Sequence, residues 1–131
     1  AICAYLADAF PEAGLAPPAG QRADYYRWLF FGAGPVEAAN MDKYRKLEPD
    51  AEQQRMVGYG TFERTMSALD TAVTRHPWLA GDTFSAADVY AGSQIDWPMQ
   101  FGMLEPTPAL SDYITRLRAR PGYVRAKAID G

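Results

Sequence analysis

The side chains able to carry acid–base or nucleophilic chemistry are few, and their spacing decides what they do. His76 is the only histidine and Cys3 the only cysteine. His76 has no Ser or Cys nucleophile beside it, and it directly precedes Pro77, which biases it to extended backbone. It therefore reads as the end of a helix rather than as a general base. Cys3 falls in an apolar helical repeat, where a free thiol behaves as a small hydrophobe. A single cysteine forms no internal disulfide, and no Cys/His cluster is available for zinc. Ser85 and Asp88 stand as S-x-x-D ahead of an apolar run. At that spacing the Ser85 hydroxyl accepts from the N3 amide, while the Asp88 carboxylate reaches back to the N-cap amide. The pair is a capping box, and its chemistry is that of folding. Phe84 at N′ and Val89 at N4 have the types of a hydrophobic staple. Removing such a cap costs ~1 kcal/mol, and up to ~2. No residue is assigned a catalytic role and none a metal.

The elements that carry these residues are all helical. After the turn at Gly81-Asp82, the capped helix continues through Val89, Tyr90, Ala91, Ile95 and Trp97, apolar enough to be buried on most sides. Ile2, Tyr5, Leu6 and Ala9 form an i, i+3, i+4, i+7 stripe at the start of the chain. The Pro- and Gly-rich stretch 11–21 reads as a linker. Residues 22–46 form a helix that is apolar nearly all round, with a kink expected where Pro35 removes an amide donor. Met56, Tyr59, Phe62, Met66, Leu69 and Val73 predict one amphipathic helix over 53–75, with Gly58 and Gly60 marking close helix packing. Thr107 and Pro108 read as N-cap and N1 of a further helix with the stripe Leu110, Tyr113, Ile114 and Leu117. Arg116, Arg118 and Arg120 complement its C-terminus. A short last helix follows from Pro121 to about Lys127. With no strand-period segment, the fold class is all-α, a bundle of five or six helices.

Bulk properties exclude several functions. The chain of 131 residues carries a formal net charge of −3, with no clustered basic footprint for nucleic acid. No apolar stretch approaches the ~18 residues of a membrane span. The length suits one domain with a real core.

The run His76-Pro77-Trp78-Leu79-Ala80-Gly81-Asp82-Thr83-Phe84-Ser85-Ala86-Ala87-Asp88-Val89 resembles the signature that opens the central core helix of the glutathione transferase C-terminal domain. Residues 24–37, the phrase Phe10-Pro11-Glu12-Ala13-Gly14-Leu15 and the Arg-Pro-x-Tyr ending at 120–123 resemble bacterial members of that family. The resemblance implies that 1–10 is the last helix of a thioredoxin-like N-terminal domain, 11–21 the interdomain linker and 22–131 the helical C-terminal domain. It implies a cytoplasmic glutathione S-transferase that conjugates glutathione, the co-substrate of the parent protein, to a small apolar electrophile in detoxification. The thiol-activating Ser, Tyr or Cys of the family lies in the N-terminal domain, so the 131-residue chain alone is expected to be inactive. What these residues would supply is a substrate pocket, with Phe30, Phe31, Met41 and Trp97 as its apolar walls. Glu37 stands where a bacterial member would place a His near the substrate. A homodimer is expected through the helix at 22–46 and its neighbour at 53–75, because Phe30, Phe31, Val36 and Met41 would otherwise be exposed. The same helical domain also occurs in non-catalytic proteins, and a protein-interaction module is the alternative reading.

Overall fold

The computed structural model describes residues 1–130, and among them there are helices and no strand. Six rods make the bundle. They are α1 (Ile2–Ala9), a kinked rod of α2 (Ala23–Phe31) and α3 (Glu37–Tyr44), α5 (Phe62–Arg75), α6 (Ala86–Gln100), α7 (Pro108–Arg118) and α8 (Pro121–Asp130). A single turn, α4 (Gln53–Met56), sits between α3 and α5. The kink between α2 and α3 is a π-helical turn, Gly32–Val36, with Pro35 inside it. Proline has no N–H to give and its ring clashes with the turn before it, so the wider i→i+5 winding accommodates it without ending the rod.

α6 is the axis of the bundle. α1, α2, the π-helical turn, α3 and α7 all pack on it. Its apolar residues are not confined to one stripe, as a helix enclosed on most sides requires. Ala87, Asp88, Ala91 and Ile95 are fully buried. Two glycines allow the close approach. A Cβ at Gly32 would lie 3.0 Å from the Ala91 Cβ, and one at Gly92 would lie 2.9 Å from both Leu117 Cδ2 and the Tyr113 hydroxyl. On α7, Leu110, Tyr113, Ile114 and Leu117 are all buried. Each such aliphatic side chain contributes ~1.5–3 kcal/mol relative to exposure.

The starts of the helices follow local chemistry. Thr61 caps α5 by accepting from the Arg64 amide at 3.1 Å, and Thr107 caps α7 by accepting from the Leu110 amide at 3.2 Å. His76 ends α5 in extended backbone before Pro77. The linker residues form two 3₁₀ turns, Pro11–Ala13 and Ala19–Gln21, and are tied down rather than loose. The Leu15 carbonyl accepts from the Ala86 amide at 2.8 Å, and the Pro17 carbonyl from Arg22 Nε at 2.8 Å.

Several sequence expectations change. The helix expected over 53–75 is broken after Met56, because Gly60 takes a left-handed φ of 73° that turns the chain into the Thr61 cap. Gly58 has nothing within 4 Å of a would-be Cβ, so it marks a bend and not a helix contact. Met56, placed on the buried stripe by its spacing, is 80% exposed. The stripe of α1 also faces outward: Ile2, Tyr5 and Leu6 are exposed, while Ala7 and the half-buried Cys3 join the core. Small residues let α1 lie close against α6, and the large ones are left on its far side. Val36, expected in an exposed patch, is fully buried by the π-helical turn. Finally, the arginines of α7 and its end do more than balance a dipole: Arg118 binds Asp96, Arg116 donates to the Pro77 carbonyl at 3.1 Å, and Arg120 stacks on Phe84.

Candidate functional site: a cleft between α3, α6 and α8

Ser85 and Asp88 form a reciprocal capping box at the start of α6. The Ser85 hydroxyl accepts from the Ala87 amide at 3.3 Å and donates to Asp88 Oδ2 at 3.2 Å. Asp88 accepts the Ser85 amide at 2.9 Å, the Leu79 amide at 2.8 Å and the Tyr113 hydroxyl at 3.1 Å. Burial pushes the Asp88 carboxyl above its ordinary value, and these donors only partly pull it back. Burial and the neighbouring Asp88 hold the Tyr113 hydroxyl well above the usual phenol range, so it stays a donor. This constellation is closed to solvent and joins the capping loop, α6 and α7.

The cleft is elsewhere. A cavity of about 480 Å3 lies between α3, α6 and α8, with Glu37, Asn40 and Met41 on one wall and Trp97 and Gln100 on the other. That volume lies in the range of small-molecule sites. Trp97 is 43% exposed and neighbours two further rings, Tyr44 with centroids 6.2 Å apart and Phe101 at 4.9 Å. Of these three rings, Trp97 lines the cavity.

Its floor is polar and held in place. Asn40 Nδ2 donates to the Gln94 carbonyl at 2.7 Å. Asp96 is buried and accepts from Arg118 Nε at 2.8 Å, Arg118 Nη2 at 2.5 Å, the Tyr123 hydroxyl at 2.7 Å and Gln100 Nε2 at 2.9 Å. This clamp ties α6 to the end of α7 and to α8. Spacing did not single it out, because Arg118 and Tyr123 lie more than twenty residues from Asp96 and no short motif joins them. The one available signal was an aspartate in an otherwise apolar stretch of helix.

Of the four residues read as pocket walls, the structure brings Met41 and Trp97 together at this cleft. Phe30 does not line it and is 72% exposed, while Phe31 is half-buried edge-on against Trp28, with ring centroids 5.5 Å apart. Glu37 lines the cleft and accepts from the Tyr90 hydroxyl at 3.1 Å. Burial and that carboxylate both raise the Tyr90 phenol, so it holds its proton rather than serving as a base. Tyr25 is buried with its hydroxyl unpartnered, and Tyr26 accepts from Arg22 at 3.3 Å. His76 lies at the exposed end of α5, 3.3 Å from Asp82. Among the described residues no group of three or more His, Cys, Asp or Glu side chains is arranged to hold a metal ion.

Residues 26–121 match the family model described as the glutathione S-transferase C-terminal domain. The chain belongs to this family. Among its relatives is glutathione S-transferase GST-4.5 of Xanthomonas campestris pv. campestris, 31% identical over 91% of this chain and 62% of that protein. In solved structures the chain is similar to the glutathione transferase of Methylococcus capsulatus, with 27% identity and a TM-score of 0.79 over 99% of this chain and 65% of that one. It is likewise similar to a sphingomonad glutathione S-transferase complexed with glutathione, with 27% identity and a TM-score of 0.74 over 95% of this chain and 63% of that one. The chain spans 66%, 58% and 62% of the lengths of three curated relatives it matches. The glutathione transferase helical domain is therefore the fold, and α6 is its capped core helix.

Proposed function

We propose that this chain is the electrophile-binding and dimer-forming helical part of a cytoplasmic glutathione S-transferase, with glutathione as co-substrate. On this reading residues 1–10 are the last helix of a thioredoxin-like domain, 11–21 the interdomain connection and 22–131 the helical domain. The observation that carries it is the cleft lined by Met41 and Trp97, with the rings of Tyr44 and Phe101 beside Trp97. Such a surface binds a small aromatic electrophile by stacking and apolar burial. The thiolate is generated outside these residues, so the 131-residue chain has no conjugating activity of its own.

The test is binding without turnover. A dinitroaromatic titrated into the chain should quench tryptophan fluorescence saturably. The quench should fall away in Trp97→Leu, since of the three tryptophans only Trp97 lines the cleft. No saturable quench, or one unchanged in both Trp97→Leu and Met41→Asp, would count against the cleft. Self-association is tested separately. Phe30 and Met41 are exposed on the α2–α3 rod, so Phe30→Asp should lower the mass seen by light scattering. Phe31→Asp is expected to act in the same direction but to damage packing too, because its ring rests on Trp28. A monomer at high micromolar concentration in the unmutated chain would remove the dimer from the proposal.

A further inference from the structure

The polar groups of the cleft between α3, α6 and α8 are unevenly engaged. Four of its side chains turn donors to the protein itself. Asn40 Nδ2 donates to the Gln94 carbonyl at 2.7 Å, Ser93 Oγ to the Tyr90 carbonyl at 2.6 Å, and both Gln100 Nε2 and the Tyr123 hydroxyl to Asp96. Acceptors are left over. Asn40 is 5% exposed, yet its Oδ1 has no hydrogen-bond partner. Turning the amide round would not cure this, because the oxygen would then face the Gln94 carbonyl. Glu37 lies about one turn earlier on the same wall of α3, exposed, with the Tyr90 hydroxyl on one carboxylate oxygen. It makes no ion pair among the described residues, not even with Lys127 on the α8 wall. Asp96, the other lining carboxylate, is buried and already faces Arg118. Glu37 is therefore the uncompensated anion of the cleft, and the Trp97 indole lines the same space.

We propose that this cleft selects ligands joining an aromatic body to a protonated amine, and that the electrophile it receives belongs to this class. An ammonium brings three donors and no acceptor, the complement of a wall with acceptors to spare. Its charge makes charge-assisted hydrogen bonds with the Glu37 carboxylate, and an indole face attracts a cation as well as an aromatic ring. A neutral ligand of the same body gains only the burial. A carboxylate head gains from Lys127 but sets further acceptors against Asn40 and Glu37. As a statement about the electrophile this rests on the proposed function; the preference for an ammonium does not.

Calorimetric titration of the full chain at neutral pH with 2-phenylethylammonium, 2-phenylethanol and 3-phenylpropionate compares three heads on one kind of body. The amine should bind at least about fivefold tighter than the alcohol, the gain expected of a partly exposed ion pair with a cation–π contact. High salt should shrink that advantage. Glu37→Gln, at an exposed position and still able to accept from Tyr90, should remove most of the advantage and leave the alcohol unchanged. Lys127→Met should tighten the amine, and Trp97→Leu should weaken amine and alcohol together. Equal affinity for amine and alcohol overturns the proposal, as does an advantage that survives Glu37→Gln. Tighter binding of 3-phenylpropionate than of the amine would also overturn it, by making Lys127 the deciding charge. The dinitroaromatic titration separates this failure from that of the electrophile cleft. Saturable quenching without an amine preference keeps the cleft and removes the selectivity. A Glu37-dependent amine preference without dinitroaromatic binding keeps the selectivity and removes the electrophile.

Discussion

Asp88 and Asp96 sit on the same helix, both buried, and they are held in opposite ways. Asp88, at the start of α6, is surrounded by neutral donors: two amides and two hydroxyls. Asp96, near the other end, faces a guanidinium as well as Tyr123 and Gln100. Neutral donors spread a carboxylate's charge but do not cancel it, so burial wins at Asp88 and raises its carboxyl. The first arrangement is a joint between backbone segments. The second is a clamp between side chains whose cation still reaches water, since Arg118 is 42% exposed. The difference teaches that equal burial does not mean equal consequence: what is left behind when the carboxylate goes sets the cost.

The sharpest way to break the comparison is Asp88→Ala. It strands the Leu79 and Ser85 amides and the Tyr113 hydroxyl, and each buried unsatisfied group costs about 1–3 kcal/mol. A loss above about 3 kcal/mol is expected from the denaturant midpoint, more than the ~1–2 of an isolated cap. A loss near 1 would mean that the loop relaxes and the joint is no stronger than a surface cap. Arg118→Gln should cost less, about 1–2 kcal/mol, because Asp96 keeps the Tyr123 and Gln100 donors and water replaces the exposed cation. If it costs as much as Asp88→Ala, the clamp is as closed as the joint and the contrast fails.

The smallest effect is in pH. A carboxyl whose folded value is raised above its unfolded value, near 3.8, favours the folded state most when protonated. The Asp88 contribution is therefore greatest below that pH and declines as pH rises through the higher folded value. Subtracting the pH profile of Asp88→Asn from that of the unmutated chain should leave a difference that falls across this window and is flat above it. A difference that rises with pH would reverse the assignment and make Asp88 a stabilised anion.

The same contrast marks what could be read without coordinates. The box Ser85-x-x-Asp88, the Thr107-Pro108 start and the stripe Leu110, Tyr113, Ile114 and Leu117 are local, and local spacing carries their geometry. The Leu79 and Tyr113 bonds to Asp88 are not local, nor is the approach of Gly32 and Gly92 to their neighbours. Those depend on which helices lie side by side. The break at Gly60 shows the limit within a single segment: periodicity ran through it, while a left-handed turn did not. At the cleft, the family resemblance implies Met41, Trp97, Phe30 and Phe31 alike as apolar walls, but Phe30 and Phe31 lie outside it. Apolar type alone does not choose between two sides of a rod.

The outward face of α1 bears on how the chain behaves in solution. Tyr5 and Leu6 lie about one turn beyond Ile2 on it, and the exposed Phe10 extends the patch. Such a surface is adhesive in a way that owes nothing to charge. Sulfate, which strengthens apolar association, should therefore promote clustering of the isolated chain, and dilute urea should disperse it before any helix melts. A rise in scattering that Leu6→Lys removes would belong to this face. The rise that remains would belong to the α2–α3 rod.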